Sequence, residues 1–129
     1  MYGLYGQIAA LFGAISVILG AFGAHGLKPH LDTYLMSIYE KGIQYQFYHT
    51  IALLLVALLT HKQNNNLLMW SGNCFAIGII LFSGSLYLLA TRHLLHLDNF
   101  AKILGPFTPI GGTFFIIGWI LLFIYFLKN

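Results

Sequence analysis

A chain of 129 residues that is 59% hydrophobic and only 7% charged cannot cover a water-facing surface, because a soluble domain carries about a quarter charged residues. That composition excludes a soluble globular domain and points to one integral membrane domain spanning residues 1–129. The formal charge of +3 is spread thinly over six Lys and Arg; with no basic cluster it implies no nucleic-acid partner and leaves the cations to orient helices against the bilayer.

A hydrocarbon core of about 30 Å takes about 20 helical residues. Four runs satisfy that length, at about residues 4–24, 44–61, 67–91 and 109–127, and every Asp, Glu, Lys and Arg falls outside them. They are long and unbroken, unlike the alternating segments of a membrane barrel. The expected fold is all-α: a bundle of four transmembrane helices, with short interfacial helices in the first and third connectors.

The first run ends in AFGA, Ala21–Ala24, which resembles a small-residue leader cleavage site. No Lys or Arg precedes it and it is long for a leader, so it reads as a retained span. Gly6, Ala9, Gly13, Ser16, Gly20 and Gly23 recur along it at steps of 3, 4, 3, 4 and 3, and Ala10, Ala14, Ala21 and Ala24 form a second row beside them. Membrane helices associate by close packing, which small residues permit, and this period fits a left-handed crossing near about 20°. The pattern specifies a packing face or, alternatively, a smooth wall for a solute. It does not say whether the facing helix belongs to this chain, a second copy or another membrane protein.

The first connector opens with Asp32, a residue suited to capping a helix. Leu31, Leu35, Ile38 and Tyr39 then recur at helical spacing, as in a helix lying at the interface. In the second span Gly42, Tyr45, His49, Ala52 and Val56 share a face, and His49 falls about 7 Å below the start of the run. Ionisable groups in a span face the bundle interior and mark a site, or lock two helices by a hydrogen bond. His25 closes span one on the same side. With Glu40 and His49 it makes a chemically sensible ligand set for a metal, but no close ligand pair fixes one, so metal and cofactor stay open.

The middle connector, HKQNNN, is short and polar and predicts an antiparallel hairpin. Span three carries Gly72, Ala76 and the stretch FSGSLY, with Ser83, Ser85 and Tyr87. In the third connector Leu94, Leu97, Ile103 and Leu104 mark an apolar side, His93 and His96 read as a solvated face, and Gly105-Pro106 ends it. Span four opens on GPFTPIGGTF, where Pro106 and Pro109 set a rigid start; a broken helix offering N–H groups to a solute is the alternative.

Counting spans gathers these patches at one membrane face. The candidate pocket is His25, Tyr45, His49, Ser83, Tyr87, Thr108, Gly111 and Gly112. No catalytic residue is assigned, since no carboxylate lies in a span and no Ser–His–Asp set exists. Lys28, Lys41, Arg92 and Lys102 in connectors one and three outnumber Lys62 and Lys128, which places both termini outside by the positive-inside rule.

The stretches GAFGAHGLK, YQFYHTIALLL, FSGSLYLLA and GPFTPIGGTFFIIGW, in that order over most of the chain, resemble the DUF423 family of small four-helix membrane proteins, also called UPF0382. The family pattern covers Gly23, His25, Gly26, Tyr45, His49, Ser83, Gly84, Tyr87, Gly105, Pro106, Pro109, Gly111, Gly112 and Trp119. The resemblance implies a bacterial inner-membrane protein with mitochondrial relatives, and it carries no activity onto these residues. Two functions then compete. One is a binding or transport bundle with a polar pocket at one face, which four helices would support only as an oligomer. The other is an assembly subunit that docks a partner on the glycine row. An enzyme acting on a lipid or quinone has no chemical motif behind it.

Overall fold

Apolar runs this long must satisfy their own backbone groups in lipid, and helices do so within one segment. The computed structural model describes residues 2–129, with the backbone alone for Tyr2. It is all-α, with four rods long and apolar enough to cross a membrane. The first rod is α1 (Tyr2–Phe22), prolonged by a π-helical turn at Gly23–Leu27 and a 3-10 turn at Lys28–His30. The second is α2 (Thr33–Lys62). The third is α3 (Asn66–Gly78), a π-helical turn at Ile79–Ser83 and α4 (Gly84–Ala90). A 3-10 turn at Asp98–Phe100 and the single turn α5 (Ala101–Leu104) lead into α6 (Phe107–Lys128).

The first connector departs from expectation. Its amphipathic segment is not a separate interfacial helix but the opening turns of α2. Asp32 caps that helix by accepting the Leu35 N–H at 2.7 Å, and nothing after it breaks the chain. Gly42 does not interrupt α2; it is buried, and a Cβ there would stand 2.7 Å from the Tyr87 ring. A helix of 30 residues is about 45 Å long, so roughly ten residues exceed what the hydrocarbon core needs. His49 therefore lies about 24 Å from the start of α2, near its middle. The third connector is a turn over residues 91–96 followed by the short helices, and His96 closes the turn in the left-handed region with φ 58°.

Packing runs side by side. α1 lies chiefly on α2, and α6 on α3 and the second π-helical turn, so α2 and the third rod form the centre. Tyr5, Leu53, Val56, Leu68, Phe75 and Phe115 belong to the main core, and Leu27, Leu31, Tyr39 and Ala90 to a smaller one at the connector end. The Gln63 amide donates to Asn129 Oδ1 at 3.3 Å, joining the middle connector to the C-terminus. At the opposite end, His93 Nε2 meets the His30 carbonyl oxygen at 3.3 Å, joining connectors one and three.

Candidate functional site

His49 projects from the middle of α2 into a ring of aromatic side chains. The Trp119 indole N–H donates to His49 Nε2 at 3.0 Å. An indole only donates, so Nε2 holds a lone pair and the ring proton resides on Nδ1. Nδ1–H then donates to the Tyr45 carbonyl at 2.7 Å. The ring stacks on Phe115 with centroids 3.6 Å apart and planes 8° apart, and Phe75 stands at 5.8 Å. Both nitrogens of a neutral imidazole are thus used inside the chain, and a metal would have to displace Trp119.

One turn earlier, Gln46 is 3% exposed and joins three rods. Its amide donates to the Phe12 carbonyl of α1 at 2.9 Å, and its Oε1 accepts the Tyr87 hydroxyl of α4 at 2.6 Å. Ser16 donates to the same Phe12 carbonyl at 2.8 Å. Ser83 donates to the Gly42 carbonyl at 2.7 Å, tying the second π-helical turn to α2. Ser85 and Thr108 share a hydrogen bond at 2.6 Å between α4 and α6. Gly111 brings the α6 backbone against that π-helical turn, where a Cβ would collide with the Phe82 backbone nitrogen. Its neighbour Gly112 has only ordinary contact, with the Phe82 ring 3.8 Å from a Cβ position.

The eight candidate residues are therefore not one pocket. Tyr45 and His49 adjoin, with Tyr45 packed on Phe82 at 4.8 Å. Ser83, Tyr87, Thr108 and Gly111 hold helices together. His25 is exposed on the first π-helical turn and stands apart. Gly13 faces Thr50, the neighbour of His49, and His25 lies twelve residues beyond Gly13, about 18 Å along the axis. The set His25, Glu40 and His49 is not assembled, and among the described residues no three His, Cys, Asp or Glu side chains group as metal ligands. The glycine row of α1 faces α2: Gly6 lies by Ala57, Gly13 by Thr50 and Gly23 by Tyr39, while Gly20 has nothing within 4 Å of a Cβ position. The neighbouring row, Ala10, Ala14, Ala21 and Ala24, is exposed. Gln46 is the residue that reading the sequence for sites passed over. Its signal was present: a second uncharged polar group on the His49 face, three residues away.

Over residues 19–112 the chain matches the family described as Protein of unknown function (DUF423). Among its relatives is a UPF0382 membrane protein of Staphylococcus epidermidis, 45% identical over 94% of this chain and 93% of the relative. This chain belongs to the DUF423 family. A UPF0382 membrane protein of Haemophilus influenzae is 44% identical over 90% of this chain and 87% of its own length. The UPF0382 inner membrane protein YgdD of Escherichia coli is 39% identical over 90% and 83%. No solved structure matches. The DUF423 chain is a multi-pass membrane protein, and the family's description assigns it no activity.

In this DUF423 bundle, cavities open at the connector end. One of about 240 Å³ lies between α1 and α2, lined by Gly20, Ala24, Met36, Tyr39, Glu40, Ile43 and Gln44. A second of about 420 Å³ adjoins it, lined by Lys28, Leu31, Asp32, Thr33, Met36, Ser37 and Glu40. A third of about 320 Å³ is apolar, lined by Leu19, Phe22, Leu27, Leu88, Leu94 and Leu95 with Tyr39, Tyr87 and Thr91.

Proposed function

We propose that the protein is a membrane-embedded binding bundle. It holds an amphiphilic membrane molecule at the end shared by the first and third connectors, and does not pass a solute through its centre. One observation carries this reading. The polar groups at mid-length bind one another, as Trp119–His49–Tyr45 and Tyr87–Gln46–Phe12 do, while open volume lies between helices at the connector end. A conduit needs polar groups free to meet water or the solute along its path, whereas groups that pair with one another are what a dry interior requires, each unsatisfied group there costing about several kcal/mol.

The test is native mass spectrometry of the full chain purified in mild detergent, beside His49→Phe. Wild type is expected to retain lipid or another amphiphile. His49→Phe is expected to retain it equally while unfolding at lower temperature, because the Trp119 N–H loses its partner at about 1–3 kcal/mol. Wild type that retains nothing, or a solute flux into vesicles that His49→Phe abolishes, defeats this reading.

A second reading, an assembly subunit, is favoured by the exposed Ala10, Ala14, Ala21 and Ala24 row, since small-residue faces let helices approach closely. The row Gly6 to Gly23, already turned to α2, does not serve it. Ala14→Phe should break any oligomer that this row forms, read as mass in detergent. A wild-type monomer removes the self-association form of this reading.

A further inference from the structure

The two cavities between the first rod and α2 share Met36 and Glu40, and so form one continuous groove. On α2 its wall runs Thr33, Met36–Ser37, Glu40, Ile43–Gln44, one helical turn at a time, over about 16 Å. On the first rod it runs Gly20, Ala24, Lys28. In a regular α-helix each four-residue step overshoots by about 40°. The π-helical turn at Gly23–Leu27 takes an extra residue into its turn and works against that drift, and Lys28 lines the same groove as Gly20. Gly20 leaves the inner half open, having nothing within 4 Å of a Cβ position.

The groove changes character along its length. The inner half has Gly20, Ala24, Met36 and Ile43 as its apolar wall. The outer half carries Lys28, Asp32 and Glu40, with the hydroxyls of Thr33 and Ser37. Asp32 is occupied in part by capping α2. Neither Lys28 nor Glu40 has an ion pair or side-chain hydrogen bond among the described residues, where the Arg92–Asp98 pair at 3.6 Å is elsewhere. Glu40 stands about 11 Å along the axis from the middle of α2, toward the end shared by the first and third connectors.

We propose that this groove binds a zwitterionic aminophospholipid, with the headgroup ammonium on Glu40, the phosphodiester on Lys28 and the first part of an acyl chain along Gly20, Ala24 and Ile43. The assignment rests on the binding reading above. Charge complementarity selects the lipid class. A purely anionic headgroup would meet two carboxylates for one lysine, and a plain cation would leave Lys28 unanswered and the inner half empty. A primary ammonium donates charge-assisted hydrogen bonds to a carboxylate, which a choline headgroup, having no N–H, cannot do.

The full chain, stripped of lipid by detergent exchange, is incubated with palmitoyl-oleoyl phosphatidylethanolamine, phosphatidylcholine or phosphatidylglycerol in mixed micelles. Bound lipid is counted by native mass spectrometry. Phosphatidylethanolamine is expected to be held about tenfold better than the other two. Glu40→Gln is expected to erase the difference, so that the variant holds phosphatidylethanolamine no better than it holds phosphatidylcholine. Gly20→Leu, which fills the inner half, is expected to lower retention of all three. Glu40 is exposed and Gly20 has free space beside it, and circular dichroism verifies that both variants keep the fold. Equal retention of the three lipids, or either variant binding phosphatidylethanolamine as wild type does, overturns the groove assignment and leaves the binding reading standing. A wild-type chain that retains no lipid overturns both.

Discussion

Thr50 carries a buried side-chain oxygen without a hydrogen-bond partner, alone in this among the described residues. Ser16, Thr60, Thr91 and Thr113 each return their hydroxyl to a carbonyl three or four residues earlier, the usual refuge of such groups in a helix. Thr50 instead has its methyl at the Gly13 contact, and its hydroxyl is left over. Thr50→Val preserves the shape and removes the orphan, so it is expected to stabilise the fold by about 1 kcal/mol. A higher midpoint of thermal unfolding in detergent is the reading to look for; a lower one means that the hydroxyl has a partner. At this scale the sequence was half legible. His49 was visible because an imidazole in an apolar run stands out. Gln46 was not, although it bonds both α1 and α4. What hid the bonds is that their partners, a Phe12 carbonyl and the indole of Trp119, lie far away in the chain and have no polar signature of their own as an apolar and an aromatic residue.

Between elements, the tightest approach of a glycine to another helix's backbone, Gly111 on Phe82, falls at the second π-helical turn. The glycine row of α1 was readable because its period is regular and lies in one helix. The seam between α3 and α6 was not, because its glycines sit on two helices and meet only after folding. There Ser71 donates to the Gly118 carbonyl at 2.8 Å, and a Cβ on Gly78 would stand 2.5 Å from the Phe115 ring and 3.1 Å from the Gly111 carbonyl oxygen. Gly111 meets backbone, which cannot swing aside as a side chain can. Gly111→Ala is therefore expected to cost about 2 kcal/mol or more. Gly112→Ala meets only ordinary contact and should be neutral or gain up to about 1 kcal/mol from helix propensity. Unfolding midpoints of these adjacent variants separate them, and equal losses would remove the backbone-contact explanation. The continuity of α2 through the first connector was missed for a related reason. Amphipathic turns look the same whether they lie on a membrane or project from the end of a span.

For the molecule as a whole, four spans and an all-α fold followed from run length and the near absence of charge, whereas the depth of the polar groups did not. Starting span two at residue 44 put His49 near the beginning of its helix; the helix in fact begins at Thr33, which puts His49 at mid-length. The bundle is then a centre of α2 and the third rod with two flanks, held differently. α6 is fastened by close backbone approach at Gly111 and by Ser71 and Trp119. α1 is fastened at three levels by side-chain hydrogen bonds: its own Tyr5 donates to Met69 and Asn73 of α3, and Gln46 and Tyr39 of α2 donate to the Phe12 and Leu19 carbonyls. Its outward face, including Leu11, Val17 and Ile18, is exposed, so these bonds and the packing of its inner face on α2, with Tyr5 and Ala9 in the core, are what resist its separation. Gln46→Leu removes the middle fastening and leaves Tyr87 without its acceptor. Polar contacts between membrane helices are worth about 0.6–2 kcal/mol, so amide exchange in α1 should quicken by about three- to thirtyfold, with α6 unchanged, because local opening is set by the contacts each unit makes. Exchange measured by mass spectrometry on peptides from both helices decides it. Equal acceleration in α1 and α6 would mean that the bundle opens as one unit, and that Gln46 supports the centre and not the flank.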